Sequence, residues 1–150
     1  MKTAAALILL MLVVPISAAW SHCQVPCGIY DDEMRLAMIG EHIKTIERSM
    51  QQIGELSKAD RYNANQIVRW VASKDEHADE LVQIVTWYFM NQRVKPVKAG
   101  DQDYQEYITK LTLLHEMMFY SMKAKQSTDP EHVAKLKQLL ADFTKAYMGK

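Results

Sequence analysis

From Leu36 onward, apolar residues recur at steps of three and four, and this spacing constrains the chain more than any other feature. Leu36, Ile39, Ile43, Ile46, Met50, Ile53 and Leu56 form a first seam, with Glu41, Lys44, Glu47 and Arg48 off it. Such a stripe suits a helix that buries one face and solvates the rest. Asp31 and Asp32 sit at its start, where carboxylates favour the positive end of the helix dipole. A second helix is expected to begin near Asn63 or Asn65. Its seam is Ile67, Val71, Lys74, Ala78, Leu81, Val85 and Tyr88, widened by Trp70, Ile84 and Phe89. Val94-Lys95-Pro96 ends it and Ala99-Gly100 completes a loop. Tyr104, Ile108, Leu111, Leu114 or His115, Met118 and Met122 make the third seam. Asp129 reads as an N-cap with Pro130 at the first helical position. Val133, Leu136, Leu140, Phe143 and Tyr147 make the fourth. Amphipathic helices with short connections predict an all-α, antiparallel (up-down) four-helix bundle over residues 31–150.

The chain ahead of these seams has a different character. Lys2 precedes an apolar run, Ala4 to Val14, which Pro15 breaks. Small residues follow: Ser17, Ala18, Ala19 and Ser21. The run is too short to span a bilayer, and the pattern reads as a signal peptide over residues 1–21. Export to a periplasmic or extracellular location is therefore expected. Small residues at −3 and −1 permit a cut after Ser21 and equally one after Ala19.

The whole chain has 18 basic and 18 acidic side chains. Without residues 1–21, whose only charge is Lys2, 17 basic and 18 acidic groups remain. That balance offers neither the basic footprint of a nucleic-acid binder nor a polybasic membrane anchor. The expected partners are a small molecule and further copies of the chain.

Between leader and bundle, over residues 22–30, lies His22-Cys23-Gln24-Val25-Pro26-Cys27-Gly28-Ile29-Tyr30, which holds both cysteines of the protein. In an exported chain two cysteines suggest a disulfide. Here it would close only a small loop and tie the segment to nothing else, adding little stability. The other reading is a metal site. A cut before His22 frees an α-amine beside an imidazole. Cys23 adds an amide nitrogen and a thiolate, and Cys27 adds a second thiolate. Two nitrogens and two thiolates in one plane suit Ni(II) or Cu(II), whereas Zn(II) prefers a tetrahedron. Pro26 restricts one φ angle and Gly28 permits a sharp turn after the second thiolate.

The string H-C-x-x-P-C-G-x-Y directly after a processing site resembles the nickel hook of the nickel-containing superoxide dismutases, which are also four-helix bundles. The resemblance extends over the mature chain. It implies that His22 ligates through amine and imidazole, Cys23 through amide nitrogen and thiolate, and Cys27 through thiolate. It implies one nickel per subunit, cycling between Ni(II) and Ni(III) as superoxide disproportionates to O2 and hydrogen peroxide. Tyr30 matches the family's tyrosine, which helps position the substrate anion and waters, and a homohexamer is implied. Two positions depart from the pattern. Gln24 stands where many relatives have Asp, and His77 stands where some carry an arginine of the network around the hook. The runner-up is an exported, non-enzymatic nickel- or copper-binding protein using the same segment.

Other bundle chemistries find no support. No histidine has Glu three residues before it, as di-iron bundles need. Cys-x-x-Cys-His is absent, and His115-Glu116 lacks the second histidine of a zinc-protease motif. His42 and His132 read as surface residues and His115 as a core-edge histidine. Met38, Met50, Met117, Met118 and Met122 fall at helical spacing, which predicts core packing.

Overall fold

The computed structural model describes residues 32–149. They form α1 (Asp32–Ser57), α2 (Ala64–Gln83), which runs on as a π-helical segment (Ile84–Arg93), α3 (Tyr104–Gln126) and α4 (Pro130–Met148). No strand occurs among the described residues. No helix among them is long and apolar enough to cross a membrane.

Each helix begins or ends where local chemistry says it should. The Asn63 side chain accepts from the Gln66 backbone N–H and starts α2. The Asp129 carboxylate accepts from the Glu131 N–H at 3.0 Å, with Pro130 opening α4 as expected. Gly149, at φ 68°, closes α4 in the left-handed conformation that costs glycine least.

Each helix packs on its sequence neighbours, and α1 closes the ring on α4. The directions are antiparallel for α1 against α2 and α4. The start of α1 touches the ends of both partners, through Asp32 with Tyr88 and with Tyr147. Further along, Glu47 pairs with Lys137 at 2.7 Å. The buried core contains Leu36, Ile39, Ile43, Ile46 and Met50 from α1, with Ala78, Leu81, Val85 and Phe89 from α2 and its extension. Leu114, Met117, Val133, Leu136, Leu139 and Phe143 complete it. The first, second and fourth seams thus face inward along most of their length.

The third seam is shifted from its expected register. Leu114, Met117, Ser121 and Ala124 are buried on α3, while Met122 is 42% exposed. The small side chains Ser121 and Ala124 let α3 approach its neighbours closely, and the methionine stripe turns partly outward. Ser121 satisfies its hydroxyl by donating to the Met117 carbonyl at 2.8 Å. His115 is exposed rather than at the core edge, because Leu114 takes the inward position.

Lys74 sits in the second seam and is 2% exposed. Its Nζ donates to the carbonyls of Ala124 at 2.7 Å and Lys125 at 2.6 Å, and to Asp75 Oδ1 at 3.0 Å. All three ammonium donors are used. The cation lies at the negative end of α3, where its last carbonyls lack intrahelical partners.

Candidate metal centre

The described residues begin at Asp32, two positions after Tyr30, and what they show is how the start of α1 is moored. Asp32, in the first turn of α1, accepts from the Tyr88 hydroxyl at 2.5 Å, Arg93 Nη2 at 2.7 Å and the Tyr147 hydroxyl at 2.8 Å. Arg93 Nε also donates to the Tyr147 oxygen at 3.3 Å. Three parts of the fold thereby converge on one carboxylate.

The π-helical winding makes that convergence possible. Tyr88 and Arg93 are five residues apart, a spacing that an α-helix splays to different faces. Hydrogen bonds from i to i+5, such as Val94 N–H to the Phe89 carbonyl at 2.8 Å, bring them nearly in line. Underneath, Phe89 meets Phe143 edge-on at 5.0 Å and Tyr147 at 5.4 Å. These contacts hold the end of α4 against the end of α2.

The electrostatics of the mooring are one-sided. Burial raises the Asp32 pKa, but hydrogen bonds from Arg93, Tyr88 and Tyr147 outweigh it and hold the group below its ordinary value. Burial and the adjoining carboxylate push Tyr88 up to about 12, so its hydroxyl stays a donor. Tyr147 is raised by burial and by Asp32. Beside this cluster lies a cavity of about 180 Å³, lined among others by Arg93, Lys95, Tyr107, Lys110 and Tyr147.

Further along the α1–α2 seam, His42 Nδ1 lies 2.8 Å from His77 Nδ1. Glu80 Oε2 is 3.3 Å from the first and 3.4 Å from the second. The His42 side chain is only 13% exposed, which corrects its reading as a surface residue. It packs between helices because α2 crosses α1 at this level. Burial lowers its pKa, against the pull of Glu80.

His22, Cys23, Cys27 and Tyr30 lie outside the described residues. Both cysteines of the chain are among them, so no thiolate donor exists in the described bundle. Sequence reading missed the Asp32–Tyr88–Arg93–Tyr147 cluster. Its signals were two tyrosines closing their seams and an arginine just before the Val94-Lys95-Pro96 stop. The pairing of His42 with His77, 35 residues apart, leaves no sequence signal at all.

A family model described as nickel-containing superoxide dismutase matches residues 17–150, the hook segment and the whole bundle together. The chain belongs to the nickel-containing superoxide dismutase family. As a nickel superoxide dismutase it is an oxidoreductase that disproportionates superoxide, with nickel as its cofactor. Comparison with curated proteins and with solved structures gives no match. The four-helix architecture of this nickel superoxide dismutase is the one its seams predicted.

Proposed function

We propose that the nickel of this superoxide dismutase is held by His22, Cys23 and Cys27 after the leader is cut between Ser21 and His22. One observation carries the assignment: the chain's only thiolates lie four residues apart, in the segment that the family match covers and that joins the moored end of α1. The donor set fits the metal. The His22 amine and imidazole, the Cys23 amide nitrogen and thiolate and the Cys27 thiolate would supply the strong nitrogen and sulfur donors that Ni(II) accepts. Bound nickel supplies the one-electron chemistry, so that one superoxide is oxidised to O2 and another is reduced to hydrogen peroxide.

The chain's own residues do the rest. The His22 amine must be free, because any residue before it turns the donor into an amide and moves the imidazole off the chain end. Tyr30, by resemblance to the family, orders the substrate anion and the water that delivers protons. Asp32 fixes the first turn of α1, the helix that follows the hook in sequence, through Tyr88, Arg93 and Tyr147. Residues 1–21 act as the signal peptide, residues 22–30 as the hook and residues 31–150 as the bundle, in an exported protein. The assembly is a homohexamer by family resemblance, and exposed Tyr62, Val68 and Val71 on or beside α2 suit contacts between copies.

Two measurements test this reading. N-terminal sequencing of the active enzyme is expected to begin at His22, and Trp20 as first residue would sink the proposed cut. Cys23→Ser and Cys27→Ser are each expected to lose nickel and turnover while keeping helicity. Full nickel in either variant would remove that residue from the ligand set.

A further inference from the structure

We infer that His42, His77 and Glu80 form a divalent-cation site of the zinc class that clamps α1 to α2 and whose ligands are other residues than those proposed for nickel. The donor atoms are already gathered. His42 Nδ1, His77 Nδ1 and Glu80 Oε2 stand 2.8, 3.3 and 3.4 Å from one another. A tetrahedral zinc with bonds of about 2.0–2.1 Å separates its ligand atoms by roughly 3.3 Å. Two of the three separations already match. The third needs the imidazoles to part by about half an ångström, within reach of a χ adjustment on either ring.

The arrangement suits a cation. Two Nδ1 atoms facing each other can share only one proton, so the metal-free pair makes a single hydrogen bond, and the carboxylate oxygen is left to compete for that proton. A cation would take the lone pairs of both rings and the carboxylate oxygen together. Two imidazoles and a carboxylate also make up a donor set that zinc accepts with its fourth position left to water. The site is well supported on both sides. His77 and Glu80 are three apart on one face of α2, and His42 comes from the facing turn of α1. His42 is the inner ligand, while Glu80 is 45% exposed and leaves a path for the ion.

The site is separate from the Asp32 cluster. His42 lies ten residues beyond Asp32 on α1, about 15 Å along the axis at 1.5 Å per residue. Among the described residues, neither His42 nor His77 shares a hydrogen bond or ion pair with Asp32, Tyr88, Arg93 or Tyr147. Its ligands contain no sulfur, so the site selects harder cations than the thiolate hook does. Its effect is mechanical: an ion bound across two helices favours the folded state over the unfolded one and raises the unfolding temperature as its concentration rises.

The test titrates Zn(II) into the mature, nickel-loaded protein, counting zinc and nickel per chain in the same samples. One zinc per chain is expected with nickel unchanged, together with a higher unfolding temperature. Glu80→Gln, at an exposed position that leaves the fold intact, is expected to weaken zinc uptake at least tenfold. His42→Ala and His77→Ala are expected to abolish it, with helicity checked by circular dichroism. Co(II) in place of zinc is expected to give the intense visible bands of a four-coordinate site in the parent and not in Glu80→Gln. Absence of zinc uptake, uptake matched by nickel loss, or uptake indifferent to all three substitutions would each overturn the inference.

Discussion

The Tyr88 hydroxyl donates to Asp32 Oδ1 at 2.5 Å, joining residues 56 positions apart, and so fixes the end of α2's extension to the first turn of α1. Arg93 and Tyr147 reach the other oxygen of the same carboxylate at 2.7 and 2.8 Å. The proposed hook precedes α1 in sequence, so this carboxylate anchors the helix turn that follows it.

Asp32→Ala removes the acceptor for all three donors and leaves a buried hydroxyl and a guanidinium without it. The expected cost is about 2–3 kcal/mol of stability, from the usual worth of hydrogen bonds to a charged group. Tyr88→Phe, which deletes one donor and keeps the ring, is expected to cost about 1 kcal/mol. Denaturant unfolding of both variants checks the order. Nickel retention on dialysis is expected to fall further for Asp32→Ala than for Tyr88→Phe.

The same carboxylate sets an acid limit. Its folded pKa lies below the unfolded one, so the unfolded chain binds the proton more readily. Its contribution is therefore full above about 3.9, the reference value for Asp, and disappears as pH falls through the lower folded value. On the alkaline side, Tyr88 keeps its proton until about 12, above its unfolded value, so its donation to Asp32 persists up to that pH. The unfolding free energy attributable to the cluster is therefore expected to be flat from about 3.9 to about 10, the reference value for Tyr, and to fall as pH rises from there through about 12. Comparing parent with Asp32→Asn across pH 2–7 checks it, because their stability difference should shrink at the acid end.

Lys74→Met is expected to destabilise the bundle by about 2–3 kcal/mol despite the gain in apolarity. It strips two carbonyls at the end of α3 of their donor, and a backbone acceptor left without its partner costs more than the methionine gains. Hydrogen exchange should show faster opening in the last turn of α3 before any change in the middle of the helix. Lys74→Arg, which keeps the charge but not the compact ammonium, is expected to fall between parent and Lys74→Met.

His22→Ala keeps the amine, the amide and both thiolates proposed as ligands, so nickel content should change little. Loss of the imidazole makes the oxidised metal harder to reach, and superoxide turnover should fall steeply. Tyr30→Phe deletes a hydroxyl that is not a ligand. It should leave nickel content the same and lower turnover less than His22→Ala does. Measuring nickel per chain and turnover side by side decides between them, and wild-type turnover in His22→Ala would exclude the imidazole from the redox cycle.

The sequence by itself determined the helices, because apolar periodicity and capping are local: Ile39 and Ile43 share a face whatever lies opposite, and Asp129-Pro130 starts a helix wherever it stands. The donor set proposed for the hook was likewise legible in sequence alone, because its residues lie within six positions of one another. The register of α3 was not legible, because Met118 and Met122 fit the periodicity as well as Met117 does. Only contact with the neighbouring helices chose the face carrying Ser121 and Ala124. The π winding of Ile84–Arg93 was hidden for a similar reason. Its residues read as ordinary helix, and the gain from aligning Tyr88 with Arg93 exists only when Asp32 is there to meet them. Lys74 looked misplaced in an apolar seam until the end of α3 supplied its carbonyls. His42, His77 and Glu80 became a cluster only when α1 and α2 lay antiparallel. Periodicity reports which side chains turn inward, and only the packing of one helix on another decides which of them meet.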